Sequence, residues 1–392
     1  MKMQKNQLNT LMLGLAALLF SCANLGASGS SACDDELRYY TAYGFASEHF
    51  FDRLQEGKDE ATKATLMELA QQKARAPQWG KEKAKLRTTY LGLAAQEDSD
   101  LSSRILYLCE ALKTVWTCNE ALALADLCHK RTQQVQDPRE KVSVAHYGLF
   151  RLNVELSEPG YDLHQKLVAV PHLISLLEDL KEATKSMKST SDMALPPFGT
   201  FFHEDCIPQA QVCAQLAVAY GGKILAGEDA EGSVSHSIYN NRLEAIDLYK
   251  QGLDGTPTPA QRKYYHAQIV NLVQGLERMP ALFAADRDEY HALQKENALA
   301  LARIYKVEGN KAQGDVLRAY LAYKAALAYT YAGKDVQALK YAASVLATPR
   351  VASENGLFVD RLKVRAQEIE VQLSAPEKLF AFQCDHLSVF WH

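Results

Sequence analysis

From Asp34 onward this chain offers helix almost everywhere and a convincing strand nowhere. The hydrophobic period carries that reading. In residues 259–277, Tyr265, Ile269, Leu272, Val273 and Leu276 recur at i, i+4, i+7, i+8 and i+11, one face of an α-helix. Residues 358–373 repeat the pattern with Phe358, Leu362, Ala366, Ile369 and Leu373. Val, Ile and Thr rarely cluster with period two, and several of the 12 prolines stand at the boundaries of helical runs. The expected class is all-α.

Start signals agree. Asp137-Pro138-Arg139-Glu140 sets an N-cap, a first-position proline and a capping-box glutamate in order, and Thr117-x-x-Glu120 and Thr258-Pro259-Ala260-Gln261 follow the same logic. Short punctuators such as Glu158-Pro159-Gly160, Asp254-Gly255-Thr256-Pro257 and Glu308-Gly309-Asn310 separate the helices, so neighbours must pack antiparallel. Two segments break this rhythm, 186–203 and 221–241, and both are expected to be long connections of the kind that carry function. Their candidate binding residues are Phe198, Phe201, Phe202 and His203 in the first and Ser235 and His236 in the second. The alternative for the phenylalanines is that they fold back onto an apolar groove.

A short motif recurs. Leu-Ala-x-x-Tyr occurs at Leu216-Ala217-Tyr220, Leu301-Ala302-Tyr305 and Leu327-Ala328-Tyr331, each close to a glycine (Gly221, Gly309, Gly333) expected to end its helix. Its best-formed setting is residues 319–349, "AYLAYKAALAYTYAGKDVQALKYAASVLATP", two helices hinged at Ala332-Gly333-Lys334-Asp335. The alanines let helix axes approach and the tyrosine rings fill the wider gaps, so these tyrosines read as packing.

Leu216, Ala217 and Tyr220, followed by Ala245, Tyr249, Gly252 and Pro257, have the spacing of the two helices of a tetratricopeptide repeat. Tyr329, Gly333, Ala338 and Pro349 fit the same scheme, with Ala342 where the family has an aromatic. Residues 207–350 therefore resemble that family, and segment 221–241 adds about sixteen residues to its tight turn. The resemblance implies antiparallel helical hairpins stacked as a tetratricopeptide-like α-solenoid that engages a protein or peptide through its concave face or its inserted loops.

The N-terminus points to export. Lys2 and Lys5 precede an apolar run, Leu11 to Phe20, too short to span a membrane. Leu19-Phe20-Ser21-Cys22 is similar to the lipobox of bacterial lipoproteins, which implies acylation of Cys22 and a tether through the Gly/Ser stretch 26–31. Ser21-x-Ala23 offers the alternative of ordinary cleavage, with Cys22 discarded. The expected organisation is a signal peptide over 1–22, a flexible tether over 23–33, a helical lobe over 34–185, a linker over 186–206, a tetratricopeptide-like lobe over 207–376 and a tail over 377–392.

Seven further cysteines, Cys33, Cys109, Cys118, Cys128, Cys206, Cys213 and Cys384, leave an odd number for pairing, and none forms a CxxC. Cys206 and Cys213 are able to meet only if a helix begins between them, as Pro208 permits. No HExxH, GxSxG, phosphate-binding or dinucleotide-binding glycine loop is present, so no catalytic residue, metal or cofactor is assigned. His203-Glu204-Asp205-Cys206 bunches ligand types but reads better as a capped helix start, and Glu48-His49 lies in an aromatic segment read as buried. A net charge of −4 without a basic stripe gives nucleic-acid binding no support.

The expectation is an exported, membrane-tethered helical-repeat scaffold of the bacterial envelope, in the periplasm or on the outer membrane, binding a protein or peptide partner. The alternative is a ligand- or glycan-capturing lipoprotein, since Leu317-Arg318-Ala319-Tyr320 resembles a run in the helical SusD-like nutrient-binding proteins. A hydrolase with a site assembled from distant residues is a third reading.

Overall fold

A computed structural model describes residues 81–97, 99–112, 118–157, 167–187, 202–203, 205–228, 232–277, 279, 286–349 and 355–374. The leader with Cys22, the tether, Glu48-His49, Phe198, Phe201, Cys33, Cys384 and the C-terminal tail lie outside them. The helices are α1 (Lys81–Ala94), α2 (Leu101–Leu112), α3 (Cys118–Gln134), α4 (Pro138–Ser157), α5 (Val170–Thr184), α6 (Pro208–Leu225), α7 (Ser233–Asp254), α8 (Pro259–Glu277), α9 (Arg287–Lys311), α10 (Asp315–Tyr331), α11 (Asp335–Leu346) and α12 (Asn355–Ser374). There is no strand among the described residues, and each helix from α1 to α5 and from α7 to α12 packs against the next in its series. The protein is all-α.

Local chemistry sets several boundaries. Before α8 the Thr258 N–H donates to Gln261 Oε1 at 2.9 Å and the Gln261 N–H to Thr258 Oγ1 at 3.1 Å, a reciprocal capping box. At α4 Asp137 Oδ1 accepts the Arg139 N–H at 3.1 Å, but Glu140 does not complete the expected box. It pairs with Arg131 of α3 at 2.8 Å, because a guanidinium is a stronger donor than a backbone amide. The Gly333 N–H bonds to Thr330 O and the Lys334 N–H to Tyr329 O, closing α10 with Gly333 at φ 65°, a left-handed conformation that favours glycine.

The other two glycine stops fall elsewhere. Gly221 lies inside α6, which continues to Leu225 and closes at Gly227 through Gly227 N–H to Ile224 O and Glu228 N–H to Lys223 O. Gly309 lies inside α9, which runs on to Lys311. An interior glycine costs a helix only about 1 kcal/mol, and Gly221 and Gly222 are buried, so tertiary packing outweighs that cost. Segment 221–241 is accordingly not a long loop: residues 221–225 belong to α6, 233–241 to α7, and the connection shrinks to 226–232.

The chain divides into two compact units. Of the described residues, the first takes 81–203 and 218–228, with a core of Ile105, Leu124, Cys128, Leu149, Leu152, Leu176 and Leu180. In it α3 touches both α4 and α5. Phe202 is 1% exposed, while His203 beside it is exposed.

The second unit takes residues 205–217 and 232–374. One cluster joins α6, α7 and α8 through Cys213, Ala245, Ile246, Tyr249, Tyr265 and Leu276. Here a Cβ at Gly252 would come within 2.7 Å of Ile207 and 2.8 Å of Tyr265, so any side chain there would force these neighbours to shift. A second cluster joins α8 to α12 and holds Leu301, Ala302, Leu327 and Ala328 of the recurring motif. Besides its neighbours in sequence, α10 packs on α12. It also reaches α8, where the Tyr331 hydroxyl donates to Gln274 Oε1 at 2.9 Å.

Candidate functional site

The pairing of α10 with α12 brings the starts of both helices together. The Tyr320 and Phe358 rings lie 6.0 Å apart at 39°. Beside them opens a cleft of about 370 Å³, lined by Gln313, Gly314, Asp315, Val316, Leu317, Tyr320 and Phe358. Leu317 is 47% exposed and Phe358 43%, large apolar side chains that the core does not absorb. Asp315 and Arg318 pair at 2.6 Å at the same end of α10.

One turn further along α10 stands Lys324, 1% exposed, with Nζ 5.4 Å from the centre of the Tyr320 ring. Burial, and secondarily the charge of Lys263, brings its amine down to about 7. Lys263 itself is held by Glu308 of α9 at 2.9 and 3.2 Å. Tyr305 and Tyr320 are pushed above the usual phenol range, chiefly by burial and then by neighbouring phenol and carboxylate charge, so both remain hydrogen-bond donors. Tyr320 thus serves two roles: its ring lines the cleft on the outside and carries the lysine amine within.

Behind this lies α8, buried without a break from Ala267 to Leu276. Gln268, Asn271 and Gln274 recur there at three-residue steps, so each neighbours the next along the helix. Both polar side-chain atoms of Asn271 and Nε2 of Gln274 are buried without a hydrogen-bond partner, as are Gln215 Oε1 on α6 and Gln294 Nε2 on α9. Each such atom costs about 1–3 kcal/mol, a large sum against ordinary domain stability.

The chain has no match among family models, curated proteins or solved structures. Of the candidates taken from the segments 186–203 and 221–241, Phe198 and Phe201 lie outside the described residues, and His203 is exposed. Ser235 and His236 stand in the first turn of α7, where His236 Nδ1 lies 2.9 Å from Gly232 O, and Phe202 is core. Among the described residues no group of three or more His, Cys, Asp or Glu is placed to hold a metal, and no helix is long and apolar enough to cross a membrane.

The residues that do assemble were weighed in sequence for other reasons. Phe358 read as the first member of an apolar stripe and Tyr320 as part of a packed helix. The available signal was the end of the stripe: an aromatic in the first turn of α12 faces past the neighbour that covers the rest of its face.

Proposed function

We propose that the second unit is a tetratricopeptide-like helical-repeat scaffold that docks a protein or peptide partner, and that the Leu317–Tyr320–Phe358 cleft receives an apolar anchor side chain of that partner. The supporting observation is the exposure of Leu317 and Phe358 around one recess. Interfaces concentrate their energy in a few aromatic or aliphatic anchors seated in such recesses. The stacking of α8, α10 and α12 through intervening helices is the arrangement in which hairpins of a solenoid bury one another.

The amides of α8 extend the reading. Adjacent carbonyl and amino groups match the alternating C=O and N–H of an extended peptide, so capture that reaches them requires the covering side chains to move. A glycan-binding role fits the cleft less well, because sugars need hydrogen-bonding groups around the stacking ring and this cleft is mostly apolar.

In this reading the chain is exported and tethered in the bacterial envelope through Cys22. Palmitate labelling lost in Cys22→Ala is the expected result, and labelling that persists would remove the anchor from the proposal. For docking, the full chain should retain a stoichiometric envelope partner in pull-downs. A Leu317→Asp, Phe358→Asp double variant should lose at least about tenfold in capture. Undiminished capture by a folded double variant would move the interface elsewhere.

A further inference from the structure

We propose that the cleft at the starts of α10 and α12 is also the docking site of a segment of this same chain, Leu387-Ser388-Val389-Phe390-Trp391, with Trp391 as its anchor. The inference rests on the cleft being a docking surface, as above, and names what fills it when no partner does. Residues 375–392 lie outside the described residues; their sequence and their starting point at the end of α12 are known.

The cleft calls for an uncharged, aromatic occupant. Among its described lining residues Asp315 alone is charged, and Arg318 pairs with it at 2.6 Å. Tyr320 and Phe358 meet at 6.0 Å and 39°, and a third ring beside them would complete a cluster at ordinary centroid spacings. At about 370 Å³ the recess lies at the small end of ligand pockets, so it suits one large side chain. Gly314 caps α10 without a side-chain hydrogen bond, which leaves first-turn N–H groups beside the cleft to donate to the carbonyls of a docked segment.

The end of the sequence supplies that chemistry. Residues 375–392, "APEKLFAFQCDHLSVFWH", carry Phe380, Phe382, Leu387, Phe390 and Trp391 against three charged side chains, Glu377, Lys378 and Asp385. Aromatic-rich and charge-poor, this is not the composition of a segment that stays in water.

Reach selects which part of it arrives. Pro376 is an ordinary helix stop two residues past Ser374. The course back along α12 from Ser374 to Phe358 is about 24 Å. An extended chain gains about 3.3 Å per residue, so Phe380 falls short of Phe358, Phe382 arrives only at full stretch and Leu387 to Trp391 arrive with slack. Val371 and Val364, two turns apart on one face of α12 and both more than half exposed, offer the two phenylalanines apolar surface on the way. Tethering then favours this segment over a free partner of equal affinity. A linker of this length gives an effective concentration of about 1 mM, so an anchor that binds at about 0.1 mM as a free peptide is about 90% docked. A partner's anchor must displace it.

Fluorescence of Trp391 in the full chain, with Trp79→Phe and Trp116→Phe leaving it the sole indole, tests this without any partner. Acrylamide should quench it about tenfold less efficiently than it quenches a synthetic peptide of residues 377–392, in line with the docked fraction. Leu317→Asp, at a half-exposed position, should restore quenching to the peptide value, and Val336→Asp on α11 should change nothing. If the two tryptophan changes unfold the chain, fluorine NMR of the native sequence labelled with fluorotryptophan gives the same readout. The Trp391 line, identified by its loss in Trp391→Phe, should then shift on Leu317→Asp. Quenching equal to that of the peptide, protection or a line position unmoved by Leu317→Asp, or protection that fades on dilution would each overturn the proposal, the last by assigning the site to a second copy. Neither readout involves the envelope partner, so failure here leaves the capture assay standing, and failed capture leaves this test intact.

Discussion

The two arms of the α10–α11 hairpin share a turn and an alanine-rich composition, yet they are buried in opposite ways. On α11 only Ala338, Ala342 and Val345 are buried, at i, i+4 and i+7, while Val336 is 76% exposed. On α10 every residue from Tyr323 to Tyr331 is buried, Lys324, Thr330 and three tyrosines among them. An outer helix buries a stripe, and its polar residues say only that water is near. An inner helix buries its whole circumference, so each polar residue there needs its own partner and its own explanation.

Lys324 is where the contrast should break most sharply. Its amine titrates near 7 in the fold against 10.5 in the unfolded chain, so the unfolded state binds more protons between those values. Stability from this group is therefore complete only above 10.5 and is lost as pH falls through 7. Lys324→Met should stabilise the protein at pH 7 by roughly 2–4 kcal/mol and remove the rise in stability between pH 7 and 9.5. Urea denaturation of both proteins at the two pH values measures this, and an unchanged slope would mean the lysine finds compensation in the fold.

The amides of α8 give a finer comparison. Asn271→Leu should gain about 1–3 kcal/mol, because neither polar atom of Asn271 has a partner. Gln274→Leu should lie near zero, since it relieves Nε2 but strips the Tyr331 hydroxyl of its acceptor. Equal effects on thermal melting would show that the two positions are alike. At the hinge, Gly333→Ala should cost about 1 kcal/mol through its positive φ. Val336→Lys on α11 should stay within about 0.5 kcal/mol, and a larger loss would mean that this outer face is covered by something.

What could be read in the sequence was local. The limits of α8, the Thr258–Gln261 box and the Gly333 hinge depend on residues a few positions apart, and each was legible. The 221–241 segment was not, because Gly221 and Gly222 look like punctuation and only tertiary burial carries the helix through them. The cleft was hidden for another reason: Tyr320 and Phe358 are brought together by the packing of α10 on α12. Lys324, within an alanine- and tyrosine-rich helix, gave no sign of its burial.

The contacts that hold the second unit join helices one or two places apart in the chain. Loops closed in forming them are short, so little chain entropy is spent before contacts repay it, and folding can begin within a single hairpin. If order starts at the α10–α11 hairpin, whose turn Gly333 helps close in a left-handed conformation, it spreads from there toward α8 and α12. In stopped-flow experiments the loss in Gly333→Ala should then appear as slower folding, with the unfolding rate nearly unchanged.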